Sequence, residues 1–331
     1  MFSSIKGQEA VGRLFKGLIE KKRLAHSYLF IGPDGVGKFL FARTLARVLL
    51  CEKGCGCNSC KACKQVEHLT HPALMVIEVP EGKKNIPIEN VRELEREIAL
   101  KPFIPLKRDE SMGNHKIFII NNADLLSEDA AHALLKTLEE PPPHSLLILV
   151  SARPERLPVT VRSRCHYVRF HPLPREMLVS IFRKQLNLAE NDARVLGMVS
   201  DGSVGTGVKL FEGAFLRQGD KLAEGLLRGS GAVIEEVLRF ARQGNNPIEE
   251  VRQRIILQFK MLAFFLRDAL FIRHQAAEYL INPDKISLAE LIKNRLSTRE
   301  LEKRIDNLLR AEQYLKMNLN INVVVANALL N

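Results

Sequence analysis

The sequence predicts an α/β domain built on a parallel sheet, followed by a region that is predominantly helical. Between residues 27 and 170, short apolar runs alternate with segments whose apolar residues recur at helical spacing. This alternation indicates parallel strands joined by crossover helices. From Pro174 onward the helical spacing prevails. A chain of 331 residues is long enough for two or three such domains.

A glycine-rich turn joins the first predicted strand, Ser27 to Ile31, to a predicted helix from Phe39 to Leu50. The turn reads Gly-Pro-Asp-Gly-Val-Gly-Lys. Strand, glycine-rich turn and helix are typical of a phosphate-binding loop, because backbone N–H groups and the helix dipole then point at one spot. The predicted nucleotide-binding-like residues are Gly32, Gly35, Gly37 and Lys38. An ordinary βα turn rich in glycine and proline is the alternative.

Two parts of the predicted nucleotide site lack the groups that hydrolysis requires. Phe39 stands where the pattern has Ser or Thr, whose hydroxyl ligates Mg²⁺. After the predicted strand 116–120, Asn121 and Asn122 stand where an Asp positions the metal. Asp124 is a substitute, but it comes three residues after Asn121 and so lies beyond the strand tip. We therefore expect ATP and Mg²⁺ to bind weakly or not at all, without appreciable turnover.

The cysteines are clustered, since five of the six fall between positions 51 and 63. In a chain without a secretion signal such clustering favours a metal over disulfides. Four thiolates form a closed tetrahedral site for structural Zn²⁺. The predicted ligands are Cys51, Cys57, Cys60 and Cys63. Cys55 could replace Cys51 in this set, and His68 and His71 are more remote substitutes. The other interpretation is a set of reduced cysteines without metal.

The remaining elements follow from the same periodicities. Further strands are predicted at 73–79, 145–151 and 167–170, and further helices at 88–100, 127–138, 174–185, 190–199, 232–241, 248–272 and 298–315. A third short helix should follow the glycine turn at 202–207, and a loop rich in proline and charge is predicted from Pro102 to His115. The stretch 255–266 is apolar on nearly every side, which predicts a buried helix.

Composition and charge narrow the function classes. The net charge of +11 and the pI near 9.4 permit contact with an anionic partner such as nucleic acid. Residues 1–50 carry nine Lys and Arg against three Asp and Glu. A membrane span is not predicted, because no stretch contains eighteen consecutive apolar residues. The N-terminus lacks the apolar core of a signal peptide, so a cytoplasmic location is expected.

Several runs resemble the clamp-loader branch of the AAA+ proteins. They are Ile5-Lys6-Gly7-Gln8-Glu9, the run from His26 through the glycine-rich loop, the cysteine cluster, the run from Ala133 to Pro142, and Ser163-Arg164-Cys165. These motifs cover residues 5–165, and beyond them the likeness rests on length, helical character and the tail 318–330. The resemblance implies an AAA+ P-loop domain with a zinc insert at 1–170, a small helical lid at 171–210 and a helical collar for oligomerisation at 211–331.

The resemblance also implies a function. Members of this branch form a five-membered ring that opens a sliding clamp and sets it on primed DNA for bacterial DNA polymerase III. This chain would be a stator-like subunit, without activity of its own, whose partners are gamma/tau ATPases, a delta subunit, the clamp and primed DNA. Arg164 would be an arginine finger that acts in trans on a neighbour's ATP, because a planar, permanently charged donor stabilises a transferring phosphoryl group. A surface or ion-pairing arginine is the alternative.

Two other functions compete with this interpretation. One is an active clamp-loader ATPase, similar to the gamma/tau motor subunits. Phe39 and the two asparagines favour the non-hydrolysing role, and so does a chain of 331 residues without the extra segments of longer motor forms. The other is a zinc-containing nucleic-acid binder, which leaves the P-loop pattern unexplained.

Overall fold

The computed structural model describes residues 1–2, 5–99, 116–213, 215–242 and 248–330. The chain divides into two compact units, Met1–Pro174 and Arg175–Asn331. The predicted collar and the predicted lid from residue 175 onward fall in the second unit, residues 171–174 fall in the first, and the boundary between lid and collar at residue 210 stays a prediction. The predicted loop from Pro102 to His115 lies outside the described residues.

The first unit contains a five-stranded sheet in which every strand pair is parallel. The strand order is β2-β3-β4-β1-β5. The strands are β1 (Ser27–Ile31), β2 (Leu74–Ile77), β3 (Lys116–Ile120), β4 (Ser145–Ser151) and β5 (His166–Arg169). The helices of this unit are α1 (Glu9–Glu20), α2 (Lys38–Leu50), α3 (Lys61–Glu67), α4 (Ile88–Ala99), α5 (Glu128–Glu139) and α6 (Val159–Arg162).

Strand β1 is an inner strand of the sheet and leads into the glycine-rich turn. It lies between β4 and β5, and all five of its residues are buried. A strand covered on both faces reads as a continuous apolar run, which is why Ser27 to Ile31 could be identified in the sequence. Because the sheet is parallel, β1, β3 and β4 end at the same edge, where open α/β sheets bind their ligands.

A cluster of phenylalanine rings fixes the two helices that flank β1. Phe15 of α1, Phe30 of β1 and Phe41 of α2 are fully buried. The ring centroids of Phe30 and Phe41 are 5.9 Å apart, and those of Phe41 and Phe170 are 5.5 Å apart, in edge-to-face arrangements that aromatic pairs prefer. Helix α2 is therefore held rigidly at the point where the glycine-rich turn enters it.

In the second unit, all the regular secondary structure of the described residues is helical. Its helices are α7 (Arg175–Gln185), α8 (Glu190–Val199), α9 (Val204–Glu212), α10 (Phe215–Arg228), α11 (Ser230–Ala241), α12 (Ile248–Arg273), α13 (Ile286–Arg295), α14 (Thr298–Lys316) and α15 (Ile321–Leu330). Helix α12 contacts α10, α11, α13 and α14. Ile255, Phe259 and Leu262 in its middle are buried, which confirms the prediction of a buried helix.

The sequence did not predict α1, α3, α6, α10 or α13. Helices α1 and α10 are strongly amphipathic, so their apolar spacing was present in the sequence and was overlooked, whereas α3 and α6 are short and α13 has a weak apolar pattern. Among the described residues, no helix combines the length and the apolar character that a bilayer crossing requires.

Candidate functional site

The glycine-rich turn follows a path that glycine alone adopts without strain. Gly32 has φ +144°, and a Cβ there would lie 2.3 Å from the carbonyl oxygen of Phe170. Gly35 and Gly37 also have positive φ, and α2 begins directly after Gly37. The loop thus keeps the backbone that places N–H groups at a helix N-terminus.

Lys38 points back into its own loop. Its side chain is buried, with 5% of the residue exposed, and Nζ donates to the carbonyl oxygens of Gly32 and Pro33, each at 2.6 Å. Burial lowers the pKa of this ammonium, since the charged form loses its water. Two of its three protons are therefore used by backbone carbonyls of the loop.

Gln8 ties the same loop to the chain beyond β5. Its buried amide Nε2 donates to the carbonyl of His171 at 2.8 Å and to that of Val36 at 3.3 Å. The backbone N–H of His171 donates to Gln8 Oε1 at 3.4 Å. In the sequence Gln8 stands out only as one letter of a motif, and nothing there indicates this role.

The carboxylates near the end of β3 form hydrogen bonds with other residues of the same unit. Asn121 follows β3 and its Nδ2 donates to Glu78 Oε1 at 2.7 Å. Asp124 lies in a short turn beyond β3 and is buried. Its carboxylate accepts from Ser151 Oγ at 2.8 Å and from Arg153 Nε at 3.3 Å, and the Ala152 N–H also donates to it at 3.3 Å. The Asp124 carboxylate thus bonds to the end of β4, and the Glu78 carboxylate bonds to the amide of Asn121.

Arg164 lies at the opposite end of β1. The hydroxyl of Ser27, the first residue of the strand, donates to the Arg164 carbonyl at 2.7 Å. The turn at Gly32 begins five residues later, which is about 16 Å along a strand. An arginine side chain is shorter than this distance, so Arg164 does not reach its own loop.

The guanidinium of Arg164 is partly exposed, at 36% of its side-chain surface. It forms an ion pair of 2.6 Å with Glu139 Oε1 and donates to the Thr160 carbonyl at 2.9 Å. The next residue, Cys165, is buried in the core, where desolvation raises the pKa of its thiol to about 11. In this motif, Cys165 is therefore packed in the core, and the guanidinium of Arg164 is partly exposed to solvent.

The four predicted cysteine ligands come together in the structure. The Sγ atoms of Cys51, Cys57, Cys60 and Cys63 all lie within 4.8 Å of one another. Cys57 Sγ and Cys63 Sγ are 4.0 Å apart. Tetrahedral Zn²⁺ with bonds of about 2.3 Å requires sulfurs roughly 3.8 Å apart, so the cluster fits the ion. Cys55 is exposed and lies outside this group.

Backbone N–H groups surround the cluster. Those of Lys53 and Cys57 donate to Cys51 Sγ at 3.4 Å, and that of Cys63 donates to Cys60 Sγ at 3.4 Å. Burial alone would raise the pKa of the Cys51 thiol, but the surrounding hydrogen-bond donors outweigh this effect and lower the pKa to about 5. Such donors favour the thiolate that a metal ion needs and orient the ligands. His71 accepts instead from the Ala73 N–H at 3.1 Å.

The sheet order, the turn after β1 and the helical second unit define a P-loop protein of the AAA+ class. A family model described as DNA polymerase III, delta subunit, matches residues 7–174, and a second model, for the C-terminal part of the delta subunit, matches residues 236–331. The chain belongs to this DNA polymerase III delta-subunit family.

Curated relatives agree with that assignment. The chain is 28% identical to the DNA polymerase III subunit delta' of Bacillus subtilis, over 95% of this chain and 92% of that protein. The delta' subunit of Escherichia coli is 27% identical, with 90% of this chain and 85% of that protein covered. The subunit tau of Bacillus subtilis is 28% identical over 92% of this chain, which spans only about half, 54%, of that relative. The resemblance to the clamp-loader branch is thereby confirmed, and within that branch the chain is similar to delta' subunits over most of its length.

Proposed function

We propose that this chain is a non-hydrolysing, stator-like subunit of a bacterial DNA polymerase III clamp loader, which supplies Arg164 to ATP held by a neighbouring subunit. The observation that carries the proposal is the position of Arg164. It is partly exposed and lies one strand length away from the loop of its own chain. A cation so placed is accessible to a site outside its own subunit and out of reach of its own loop.

The state of the chain's own loop supports the same conclusion. Lys38 bonds to loop carbonyls, Phe39 has no hydroxyl, and Asp124 bonds to the end of β4. ATP with Mg²⁺ requires a lysine on the phosphates and oxygen ligands for the metal. We infer that nucleotide binds here weakly or not at all, and that the loop serves to hold α2 against the sheet.

The partners in this proposal are gamma/tau-type ATPases, a delta-type subunit, the sliding clamp and primed DNA, in the cytoplasm. Names of the relatives support the first of these, since both delta' and tau proteins are DNA polymerase III subunits. We assign Zn²⁺ to the cysteine cluster in a structural role, because four thiolates leave no open coordination position. The ion would join the end of α2, at Cys51, to the start of α3, at Cys60.

The test is reconstitution of this chain with its gamma/tau-type and delta-type partners, followed by measurement of DNA-stimulated ATP turnover. Arg164→Ala should leave assembly intact and lower turnover about 10³-fold at the affected site, the size of an arginine-finger contribution. Arg156→Ala, at an exposed arginine nearby in the chain, is the matched control and should leave turnover unchanged. Failure to assemble, or unchanged turnover in Arg164→Ala, would refute the proposal.

An active ATPase is the second candidate, because the tau relative matches as much of this chain as the delta' relatives do. Mg²⁺-dependent ATP hydrolysis by the isolated chain distinguishes the two. We expect none above the background, and a rate that disappears in Lys38→Met would establish the second candidate instead.

A further inference from the structure

We propose that Glu139 is a positioning residue that holds the guanidinium of Arg164 and competes for it with the phosphates of the neighbouring nucleotide. The inference rests on the function proposed above for Arg164. It adds a second residue, and it predicts how the ATP dependence of the assembled complex is set.

The contacts of the guanidinium divide into two kinds. Two are neutral and local: Nη1 donates to the Thr160 carbonyl at 2.9 Å and to Ser163 Oγ at 3.4 Å, both within four residues of Arg164. The third is the ion pair between Nη2 and Glu139 Oε1 at 2.6 Å, across 25 positions of sequence. The neutral contacts orient the group, and within the described part of the chain Glu139 is the carboxylate that pairs with its charge.

The placement of Glu139 is unfavourable for its own helix. It is the last residue of α5, where the negative end of the helix dipole destabilises a carboxylate. The prolines from 141 to 143 prevent the helix from continuing, so this carboxylate stays at the helix end. Pairing with Arg164 removes the penalty. The neighbouring Glu140 has the same charge but does not pair with Arg164.

The ion pair between Arg164 and Glu139 orders the arginine, but its free energy is small enough for another anion to replace the carboxylate. Half of the Glu139 side-chain surface and about a third of that of Arg164 are exposed, so solvent screens their attraction. Such pairs change an equilibrium by about 1.5-fold to 5-fold. A triphosphate presents more negative charge than one carboxylate and can therefore displace Glu139, while Thr160 and Ser163 keep the guanidinium oriented.

The experiment measures the ATP dependence of turnover in the reconstituted complex. Glu139→Gln keeps the shape and an acceptor oxygen but removes the competing charge. We expect it to lower KM for ATP about 1.5-fold to 5-fold, with kcat within about twofold of the original. Glu140→Gln is the matched control and should leave both constants unchanged. Glu139→Asp keeps the charge on a shorter side chain, and its KM should fall between that of the unaltered complex and that of Glu139→Gln.

A merely structural Glu139 would give an unchanged or raised KM in Glu139→Gln, and either result overturns the inference. In the Arg164→Ala background, Glu139→Gln should have no effect, because the competition acts through the arginine. If Arg164→Ala lowers turnover but Glu139→Gln leaves KM unchanged, only the role of Glu139 fails. If Arg164→Ala has no effect, the proposed function and this inference fail together.

Discussion

The two ends of β1 use a cation in opposite ways. At the carboxyl end, Lys38 is buried and bonds to the carbonyls of Gly32 and Pro33. At the amino end, Arg164 is partly exposed and pairs with the exposed carboxylate of Glu139. A cation bonded to fixed backbone has no need of another ligand. A cation bonded to a solvated side chain can exchange that partner for a phosphate.

The two ends lead to different expectations. On the proposed function, the loop at the carboxyl end joins β1 to α2, and the arginine at the amino end serves a neighbouring subunit. Substitutions at the first end should therefore change stability, and substitutions at the second should change the turnover of the complex. Variants at the two ends test that separation, and loss of a zinc ligand between α2 and α3 gives the largest effect to compare them with.

Loss of one zinc ligand should have the largest effect. Cys60→Ser removes a thiolate from a closed site, and we expect the zinc content to fall from about one ion per chain to nearly none, with a lower melting temperature. Atomic emission and calorimetry measure the two quantities. Cys55→Ser is the matched control, because this cysteine lies outside the cluster. Zinc retained in Cys60→Ser, or lost in Cys55→Ser, would contradict the assignment.

Gly32→Ala should destabilise the first unit by about 3 kcal/mol, because the new methyl group meets the Phe170 carbonyl at a strained φ. Calorimetry should detect a fall of roughly 6–12 °C in the melting temperature of that unit. Gly17→Ala is the control. A Cβ at Gly17, within α1, meets nothing within 4 Å, so the substitution should be neutral or stabilising by about 0.5–1 kcal/mol. Equal effects of the two variants would show that the loop is pliable.

Lys38→Met should cost about 2 kcal/mol of stability, because the carbonyls of Gly32 and Pro33 lose their donor. Turnover of the reconstituted complex should stay within about twofold, in contrast to Arg164→Ala. Denaturant unfolding and the ATPase assay measure the two effects. The opposite pattern, normal stability with reduced turnover, would place Lys38 on a nucleotide and erase the distinction between the two ends.

Ser27→Ala should have the smallest effect, about 1 kcal/mol, from loss of the buried hydrogen bond to the Arg164 carbonyl. Because this bond anchors the backbone of the arginine, a modest fall in turnover of the complex should accompany the loss of stability. Ser163→Ala, which removes a long contact of 3.4 Å to the guanidinium, provides a comparison within the same motif. If Ser27→Ala lowers stability alone, the backbone anchor is not part of the arginine's function.

Much of the first unit could be predicted from the sequence because its elements are strongly patterned. Strands β1, β3 and β4 begin and end where their apolar runs do. Glycine spacing predicted the loop, and cysteine spacing predicted the four thiols that the structure brings together. Both motifs are local, so their geometry follows from a few neighbouring residues.

The long-range contacts were not predictable in this way. Gln8 reaches His171 across 163 positions, and Glu139 reaches Arg164 across 25. The direction in which Lys38 points is also absent from the motif, because the same residue type serves a phosphate or a carbonyl. Helix α13 was missed for a related reason, since tertiary packing compensates for its weak apolar pattern, but α10 is strongly amphipathic and its apolar spacing could have been found.

The bonds of Asp124 limit what a single substitution could do. Its carboxylate already accepts from Ser151, Ala152 and Arg153, as Lys38 already donates to the loop. On the proposed function, Phe39→Ser would therefore supply one metal ligand but no working catalyst. Several of these hydrogen bonds would have to break together, so a gain of hydrolysis by this chain would require coordinated changes and not one substitution.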